Sequence, residues 1–222
     1  MIVTIDGPAG SGKSTAARGL AERLGFEFLD TGAMYRCVAW SVLQKQVDPA
    51  DEAAVVEVSR QTHIAFSDAR VLVNDTEVTG LIRTPEVTEV ASVVAQYPGV
   101  REELVRLQRE AASGIDIVSE GRDQGTVVFP DAFCKFFLVA DPEERARRRY
   151  DELQAQDKQI TVEEILDQIY QRDQRDEQRV VAPLKAADDA LEINTSSLTI
   201  DEVLDQLEKT VRQRISALSH GT

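Results

Sequence analysis

The stretch with the clearest chemistry lies near the start of the chain and reads GPAGSGKS over 7–14. An apolar run, MIVTID, precedes it, and alanines and leucines at helical spacing follow it, so strand, glycine-rich turn and helix come in order. In that context the spacing G-x-x-x-x-G-K-[ST] predicts a phosphate site. Glycines let the backbone wrap closely around a phosphate and point its N–H groups inward. Lys13 can reach the β- and γ-oxygens as a point charge, and the Ser14 hydroxyl can ligate Mg²⁺.

This loop predicts that the chain binds a nucleoside triphosphate. The residues expected to hold it are Gly7, Pro8, Ala9, Gly10, Ser11, Gly12, Lys13, Ser14 and Thr15. Ser14 is also the expected metal ligand. The alternative, a glycine-rich turn that binds nothing, is disfavoured because strand, motif and helix all agree.

Strands and helices alternate along most of the chain, which predicts a parallel sheet with helices on both faces. The predicted strands are 1–6, 26–29, 115–119, 134–139 and 190–193. Short β-type runs within 63–82, broken by turn residues, predict a small antiparallel insert. Ligands of parallel sheets bind at the carboxyl ends of the strands, and three further polar groups are expected to converge there. These groups are residues 30–36, 120–123 and 172–179.

Three helix starts carry recognisable capping signals. Thr84-Pro85 places a cap before a proline at the first helical position. Thr161 and Thr199 are each followed three residues later by a glutamate, which is the pattern of a capping box. The helix after Thr161 is expected to bury Val162 with its other apolar residues and to be followed by the polar run 172–179.

Length and charge narrow the class of partner. The 222 residues suffice for one sizeable core, and a net charge of −14 argues against a nucleic-acid polymer. Nineteen of the 25 basic residues are arginines, and seven of these lie between Arg145 and Arg179. Arginine grips phosphate in bidentate fashion, so a small phosphorylated ligand is the expected partner.

Composition also bears on location. No stretch of 18 apolar residues occurs that would span a membrane, and the N-terminus leads directly into a strand without a targeting pattern. We therefore expect a cytoplasmic protein. Cys37 and Cys134 match no metal or redox spacing, so buried free thiols are expected.

Taken together, these motifs make the chain resemble the bacterial cytidylate kinases, which belong to the nucleoside-monophosphate kinase group of P-loop kinases. The stretches that carry the resemblance are GPAGSGKST at 7–15, LDTGAMYR at 29–36, VASVVAQYPGVR at 90–101, EGRDQGTVVFPDA at 120–132, ERARRR at 144–149 and RDQRDEQRVVAPLKAADDA at 172–190. They extend over nearly the whole chain, and the insert near 63–83 resembles the extra strands of the bacterial type.

The resemblance implies a single kinase domain in three parts. The core would comprise about 1–30, 114–145 and 182–222, the monophosphate-binding region with its β insert about 31–113, and a helical lid about 146–181. Its activity would be transfer of the γ-phosphoryl group of ATP to CMP or dCMP, with Mg²⁺. A monomer is implied as well.

Site residues follow from the matching positions. The resemblance implies that the monophosphate is bound by Thr31, Arg36, Ser92, Arg101, Arg122, Asp123, Arg172, Asp176 and Arg179, and that Lys13, Arg122 and Arg172 are catalytic. Two positions depart from the family pattern. Thr31 stands where serine is familiar and keeps the hydroxyl, and Gln124 stands where an apolar residue often follows Gly-Arg-Asp.

Several of these residues can be interpreted without the family. Arg122 directly follows a buried-type strand at the ligand edge, whereas Arg147 and Arg175 are equally well explained as solvated side chains. Asp176 could accept from a ribose hydroxyl or pair with Arg172 one helical turn away. Glu120 could orient Mg²⁺ through water, or it could be a structural carboxylate.

Base selection can be reasoned from hydrogen-bonding capacity. A cytosine needs an acceptor for its amino group and a donor for N3. The Asp123 carboxylate accepts, Arg101 donates to N3 or O2, and Ser92 can do either.

Three other functions remain open from the sequence. One is a different small-molecule P-loop kinase, for example one for UMP. A GTPase switch is disfavoured because no Asn-Lys-x-Asp motif occurs. A non-catalytic ATP-binding module would not need the array of arginines.

Overall fold

The computed structural model describes residues 1–67, 70–154 and 160–220. The chain forms two compact units, of which unit 1 comprises Met1–Leu29 and Ala112–Thr222 and unit 2 comprises Asp30–Ala111. Residues 155–159, within the expected lid, lie outside the described residues.

The strands are β1 Ile2–Asp6, β2 Glu27–Asp30, β3 Ile64–Ser67, β4 Arg70–Val73, β5 Thr76–Glu77, β6 Ile117–Gly121, β7 Cys134–Val139 and β8 Leu191–Asn194. The helices are α1 Lys13–Leu24, α2 Thr31–Gln44, α3 Glu52–Arg60, α4 Pro85–Val94, α5 Pro98–Ala111, α6 Pro142–Gln154, α7 Val162–Gln178 and α8 Ile200–His220. A 3₁₀ turn covers Leu81–Arg83, and a single π-helical turn covers Gln124–Val128.

Unit 1 is built on a sheet with strand order β2-β6-β1-β7-β8. Strand β1 runs parallel to β6 and β7, and β7 runs parallel to β8. Helices α1 and α8 pack on the sheet through a shared apolar core. Buried members of this core are Ala16, Ala17, Leu20, Val203 and Leu207 from the helices, with Val3, Ile5, Phe136 and Leu138 from the strands. The predicted parallel α/β fold is confirmed.

The two faces of β1 differ in chemistry. Val3 and Ile5 point into the apolar core, and successive side chains of a strand point to opposite faces. Thr4 and Asp6 therefore lie on the other face, yet they are only 0% and 4% exposed. The π-helical turn Gln124–Val128 covers this polar face, as the close approach of Gly125 to Thr4 and Asp6 shows.

Helices α6 and α7 of unit 1 pack on each other through a separate apolar cluster. Ala146 and Leu153 of α6 and Ile165 and Ile169 of α7 are its buried members. The capping box at Thr161 is present. Two details of the sequence prediction were wrong. First, Val162 is exposed. Second, α7 includes most of the polar run and continues to Gln178, because polar residues are compatible with the solvent side of a helix.

Unit 2 contains α2 to α5 and an antiparallel sheet of order β3-β4-β5. The antiparallel insert is thus confirmed. Thr84 caps α4, with Pro85 in the first turn, as its sequence predicts. Asp30 caps α2 by accepting a hydrogen bond from the backbone of Ala33 at 2.8 Å, so α2 begins at Thr31. Fully buried residues of this unit include Val38 of α2 and Ile82 of the 3₁₀ turn.

The fold class is therefore a parallel α/β sheet packed by helices, with a small antiparallel insert, whereas the division into core, monophosphate-binding region and lid stays a prediction. Within the described ranges, none of the helices combines the length and apolar character that a bilayer crossing requires.

Candidate active site

The glycine-rich loop follows β1 in a conformation that favours glycine. Gly10 and Gly12 have φ values of 77° and 85°, in the left-handed region. At Gly7 a Cβ atom would lie 2.1 Å from the carbonyl oxygen of Leu138, so no side chain fits there. Gly12 occupies the N-cap of α1 and offers no side chain to the N–H groups of the first turn. Those N–H groups are suited to receive an anion.

Lys13 is the buried cation of this loop. Its side chain is folded back, so that Nζ donates to the carbonyl oxygen of Pro8 at 2.9 Å, and the residue is only 5% exposed. Burial and the positive charge of Arg122 lower the pKa of Lys13, against the opposing effect of Glu120. A bound polyphosphate would supply the negative charge that this ammonium lacks.

Ser14 and Glu120 bring the helix start and the end of β6 together. The Ser14 hydroxyl donates to Oε1 of Glu120 at 3.0 Å, and Glu120 is buried. A hydroxyl and a carboxylate within hydrogen-bonding distance are two hard oxygen groups at one point.

Arg122 and Asp176 form a half-buried ion pair at the same end of the sheet. Arg122 Nε donates to Asp176 Oδ2 at 2.8 Å. Burial raises the pKa of Asp176, but the positive charges of Arg122, Arg172 and Arg179 lower it below its usual value. Arg172 also acts on Lys13, so both charge clusters share one electrostatic environment.

Asp123 and Arg179 are two further predicted site residues of unit 1 that lie close together. Asp123 is only 3% exposed, and its Oδ1 lies 3.9 Å from Nη2 of Arg179. Arg179 also donates through Nε to the carbonyl oxygen of Ala182. Unit 1 thus brings Lys13, Arg122, Asp123 and Arg179 together with Arg172 and Asp176, which lie on α7 rather than after it.

Unit 2 holds the remaining predicted residues on α2, α4 and α5. Arg36 Nη1 donates to Thr88 Oγ1 at 2.5 Å and to the Ile82 carbonyl at 3.1 Å. Ser92 lies one turn beyond Thr88 on α4, and its buried hydroxyl finds no hydrogen-bond partner among the described residues.

The other two predicted residues of unit 2 are Thr31 and Arg101. Thr31 is buried at the first position of α2. Arg101 of α5 places its guanidinium 5.8 Å from the ring centre of Tyr35, which is the neighbour of Arg36 on α2.

Two arginines that border the phosphate loop were not singled out from the sequence. Arg145 is 3% exposed and donates to the Ala9 carbonyl at 3.0 Å and to Asp173 at 2.6 Å. Arg148 donates to the Thr195 carbonyl at 2.6 Å. The signal was the density of arginines over 144–149, but spacing alone does not tell these two from Arg147, which is 68% exposed.

Asp6 was also missed. Its Oδ1 accepts from the backbone N–H of Gln124 at 2.8 Å, and its Oδ2 accepts from that of Gly125 at 2.7 Å. Burial raises the pKa of Asp6 to about 7, although these two hydrogen bonds oppose the shift. The signal was a carboxylate that ends an otherwise apolar strand.

Comparison with known proteins shows the family of the chain. The family model described as cytidylate kinase matches residues 3–213. A cytidylate kinase of Rhodopirellula baltica is 48% identical over 98% of this chain and 95% of its own length. One from Caldanaerobacter subterraneus is 46% identical over 95% of this chain and 94% of its own.

A solved structure of a gluconokinase from Sinorhizobium meliloti shares the fold. It has a TM-score of 0.52 and 13% identity, and the match covers 99% of this chain and 96% of that one. The phosphate loop and the sequence similarity along nearly the full chain lead to one assignment. The chain belongs to the cytidylate kinase family.

Proposed function

We propose that this protein transfers the γ-phosphoryl group of ATP to CMP or dCMP, which gives ADP and CDP or dCDP. The observation that carries the proposal is the meeting of the phosphate loop with the end of β6, where Ser14 donates to Glu120 and the following Arg122 pairs with Asp176. The buried Lys13 belongs to the same loop, and an arginine that suits a phosphate acceptor follows the same strand. A non-catalytic ATP-binding module or a GTPase switch does not need arginines for a phosphate acceptor. Membership of the cytidylate kinase family supports kinase activity.

In this proposal Lys13, Arg122 and Arg172 are the catalytic residues. The triphosphate is held by the loop 7–15, and the acceptor phosphate by arginines that include Arg36 and Arg179. Asp176 holds Arg122 through Nε, and Nη1 donates to the Gly121 carbonyl at 3.3 Å, so Nη2 is the group that would face a phosphate. Its carboxylate can also accept from a ribose hydroxyl, because a carboxylate takes several hydrogen bonds.

Recognition of the cytosine is assigned to Asp123, Ser92 and Arg101, and Thr31 adds a hydroxyl on the acceptor side. Asp123 accepts from the amino group, and Arg101 donates to N3 or O2. The unpartnered hydroxyl of Ser92 supports this assignment, because a buried polar group without a partner is costly unless a ligand satisfies it.

The residues present fit a magnesium ion. Ser14 and Glu120 would hold it, Ser14 directly and Glu120 through water, since both supply the hard oxygen groups that Mg²⁺ prefers. When bound, the ion neutralises charge on the β- and γ-phosphoryl groups.

Phosphoryl transfer to this acceptor requires the protein mainly to position the two nucleotides and to stabilise negative charge. A CMP phosphate oxygen is largely anionic at neutral pH, so no general base is required. Lys13 and the arginines stabilise the charge that spreads over the transferring group. Helices α6 and α7 carry Arg145, Arg172 and Asp176, and their closure over the nucleotide would exclude water.

The test is a coupled assay with ATP and each of CMP, dCMP, UMP, AMP and GMP. Turnover with CMP and dCMP well above the others is expected, whereas highest turnover with UMP would favour the rival kinase.

Lys13→Ala should lower kcat at least about 100-fold, the scale of one lost transition-state contact. Arg147→Ala is the matched control, because Arg147 is exposed and pairs only locally with Glu144. Equal kcat for Lys13→Ala and wild type would remove the phosphate-loop argument.

We also propose that the protein is a cytoplasmic monomer. Its partners are small nucleotides, and it binds neither a nucleic-acid polymer nor a membrane. The net charge of −14 supports the exclusion of the polymer. Size-exclusion chromatography with light scattering tests the monomer.

A further inference from the structure

A row of polar side chains lies buried beneath the turn that follows Arg122 and Asp123. In register, Thr4 of β1 pairs with Ser119 of β6 and with Lys135 of β7, so all three side chains share one face of the sheet. All three are nearly inaccessible to solvent. A buried polar face needs hydrogen-bonding partners, and the π-helical turn Gln124–Val128 is the element that covers it.

Asp6 is the only member of this face that binds the backbone of the turn through both of its carboxylate oxygens, as far as the described residues show. One oxygen accepts from the N–H of Gln124 at 2.8 Å and the other from that of Gly125 at 2.7 Å. Because Asp6 directly precedes Gly7, the same residue joins the phosphate loop to the turn. Hydrogen bonds to a carboxylate are stronger than those between neutral groups.

Two further contacts show how closely the turn fits. Gln124 is fully buried, and its Oε1 accepts from the Ser119 hydroxyl at 2.7 Å. A Cβ atom on Gly125 would lie 3.0 Å from Thr4 Oγ1 and 3.4 Å from Asp6 Oδ2. A side chain at this position would therefore require the turn or these neighbouring side chains to shift by a few tenths of an ångström.

The turn also fixes the residue before it. The carbonyl oxygen of Asp123 accepts from the N–H groups of Val127 and Val128, at 2.9 and 3.2 Å. Arg122 and Asp123 directly precede this turn, and the backbone N–H groups of its first two residues, Gln124 and Gly125, both donate to Asp6. Neither residue can shift along the sheet edge without breaking the hydrogen bonds to Asp6.

We propose that Asp6 is a positioning residue for the phosphoryl acceptor, which acts by fixing the turn that places Arg122 and Asp123. The inference rests on the proposed function, since it takes the acceptor to be CMP. Loss of the carboxylate weakens the productive binding of CMP and the preference for CMP over UMP. It leaves the affinity for ATP near its original value, because the loop glycines and Lys13 keep their own contacts.

Asp6→Asn is the test variant, because it keeps the shape of the side chain but turns an NH₂ group toward one backbone N–H. Above pH 7, where Asp6 is ionised, we expect kcat/KM for CMP to fall at least about tenfold, the CMP-over-UMP ratio of kcat/KM to narrow, and KM for ATP to stay within about twofold. Gly125→Ala should change the same kinetic constants in the same directions, because it disturbs the contact with Asp6 from the side of the turn. Hydrogen exchange of the segment 122–128 should become faster in both variants, a readout that needs no catalysis.

Ser119→Ala is the matched control, since it removes the tie to the Gln124 side chain and spares both bonds of Asp6. Its hydrogen exchange over 122–128 should stay closer to wild type than that of Asp6→Asn. An Asp6→Asn protein with wild-type kinetics for CMP overturns the inference alone. Equal losses for ATP and CMP overturn it as well, because Asp6 would then support the phosphate loop. A wild-type protein inactive on CMP removes the proposed function and this inference together.

Discussion

Asp123 is the residue on which discrimination between cytosine and uracil would depend. Uracil would place its O4 against the carboxylate, so that two acceptors would face each other without a proton. Asp123 is buried, which makes such a mismatch costly. We expect Asp123→Asn, which gains a donor, to narrow the CMP-over-UMP ratio of kcat/KM by at least about tenfold, or roughly 1.4 kcal/mol.

The ratio is measured for wild type and variant at identical Mg²⁺ and salt concentrations. Arg179 lies 3.9 Å from the Asp123 carboxylate, so the variant also disturbs that pair. A common loss for both substrates with an unchanged ratio would assign Asp123 to the orientation of its arginine neighbours. Base selection would then rest on Ser92 and Arg101.

Asp6 makes the stability of the protein depend on pH. Its folded pKa of about 7 lies above the ordinary value of 3.8, because burial outweighs the two N–H groups that it accepts from. The neighbouring charges are Asp123, which raises the pKa, and Lys13, which lowers it. Lys135, on the same face of the sheet, is held by Asp189. Between pH 3.8 and 7 the folded state keeps a proton that the unfolded state has lost, so stability falls as pH rises through that window.

Wild type should therefore lose stability relative to Asp6→Asn between pH 5 and 8, by about 2–3 kcal/mol. Urea unfolding of both proteins at several pH values measures the difference. Asp189→Asn is the control, because its contact with Lys135 lowers the pKa of Asp189 and takes its titration below this range. A difference between wild type and Asp6→Asn that is constant with pH would mean that Asp6 stays ionised throughout.

At the scale of elements, α7 is the helix on which the acceptor arginines depend. Its capping box is closed by Thr161 and Glu164, and the helix carries Arg172 about three turns and Asp176 about four turns later. Thr161→Ala removes an N-cap worth about 0.5–2 kcal/mol. We expect KM for CMP to rise up to about fivefold, the equivalent of 1 kcal/mol, since a loosened α7 holds these residues less often in place.

Thr199→Ala is a matched control for this prediction. Thr199 and Glu202 make the same set of hydrogen bonds at the start of α8, which carries none of the proposed site residues. It should lower stability without changing KM for CMP. If both variants had the same kinetic effect, the change would reflect general destabilisation and not the position of α7.

At the scale of the whole molecule, nucleotide binding should be visible as stability. A ligand at 100 times its dissociation constant that binds only the folded state stabilises a protein by about 2.7 kcal/mol. For a chain of this size that corresponds to a rise in Tm of about 5–10 °C with Mg-ATP. Differential scanning fluorimetry measures the rise, and Lys13→Ala should reduce it. An unchanged Tm for wild type at saturating Mg-ATP would contradict binding at the phosphate loop.

Local sequence determines the secondary-structure elements, the phosphate loop and the helix caps of this protein. Alternating strands and helices, the loop over 7–14 and the caps at Thr84, Thr161 and Thr199 are patterns that span a few neighbouring residues each. Their physical causes are local: glycine conformation, side-chain capping and the periodicity of apolar residues. For that reason the parallel fold, the insert and the phosphate loop could be predicted with nearly their observed boundaries.

The partners within the site were decided only by the tertiary structure. Asp6 binds N–H groups 118 and 119 residues away, Arg122 pairs with Asp176 across 54 residues, and Arg145 reaches Ala9 across 136. Such contacts depend on the order and register of the strands, which local patterns do not encode. The same limit applies to Arg145 and Arg147, two residues apart in one arginine run, because only the packing of α6 makes one buried and leaves the other in water.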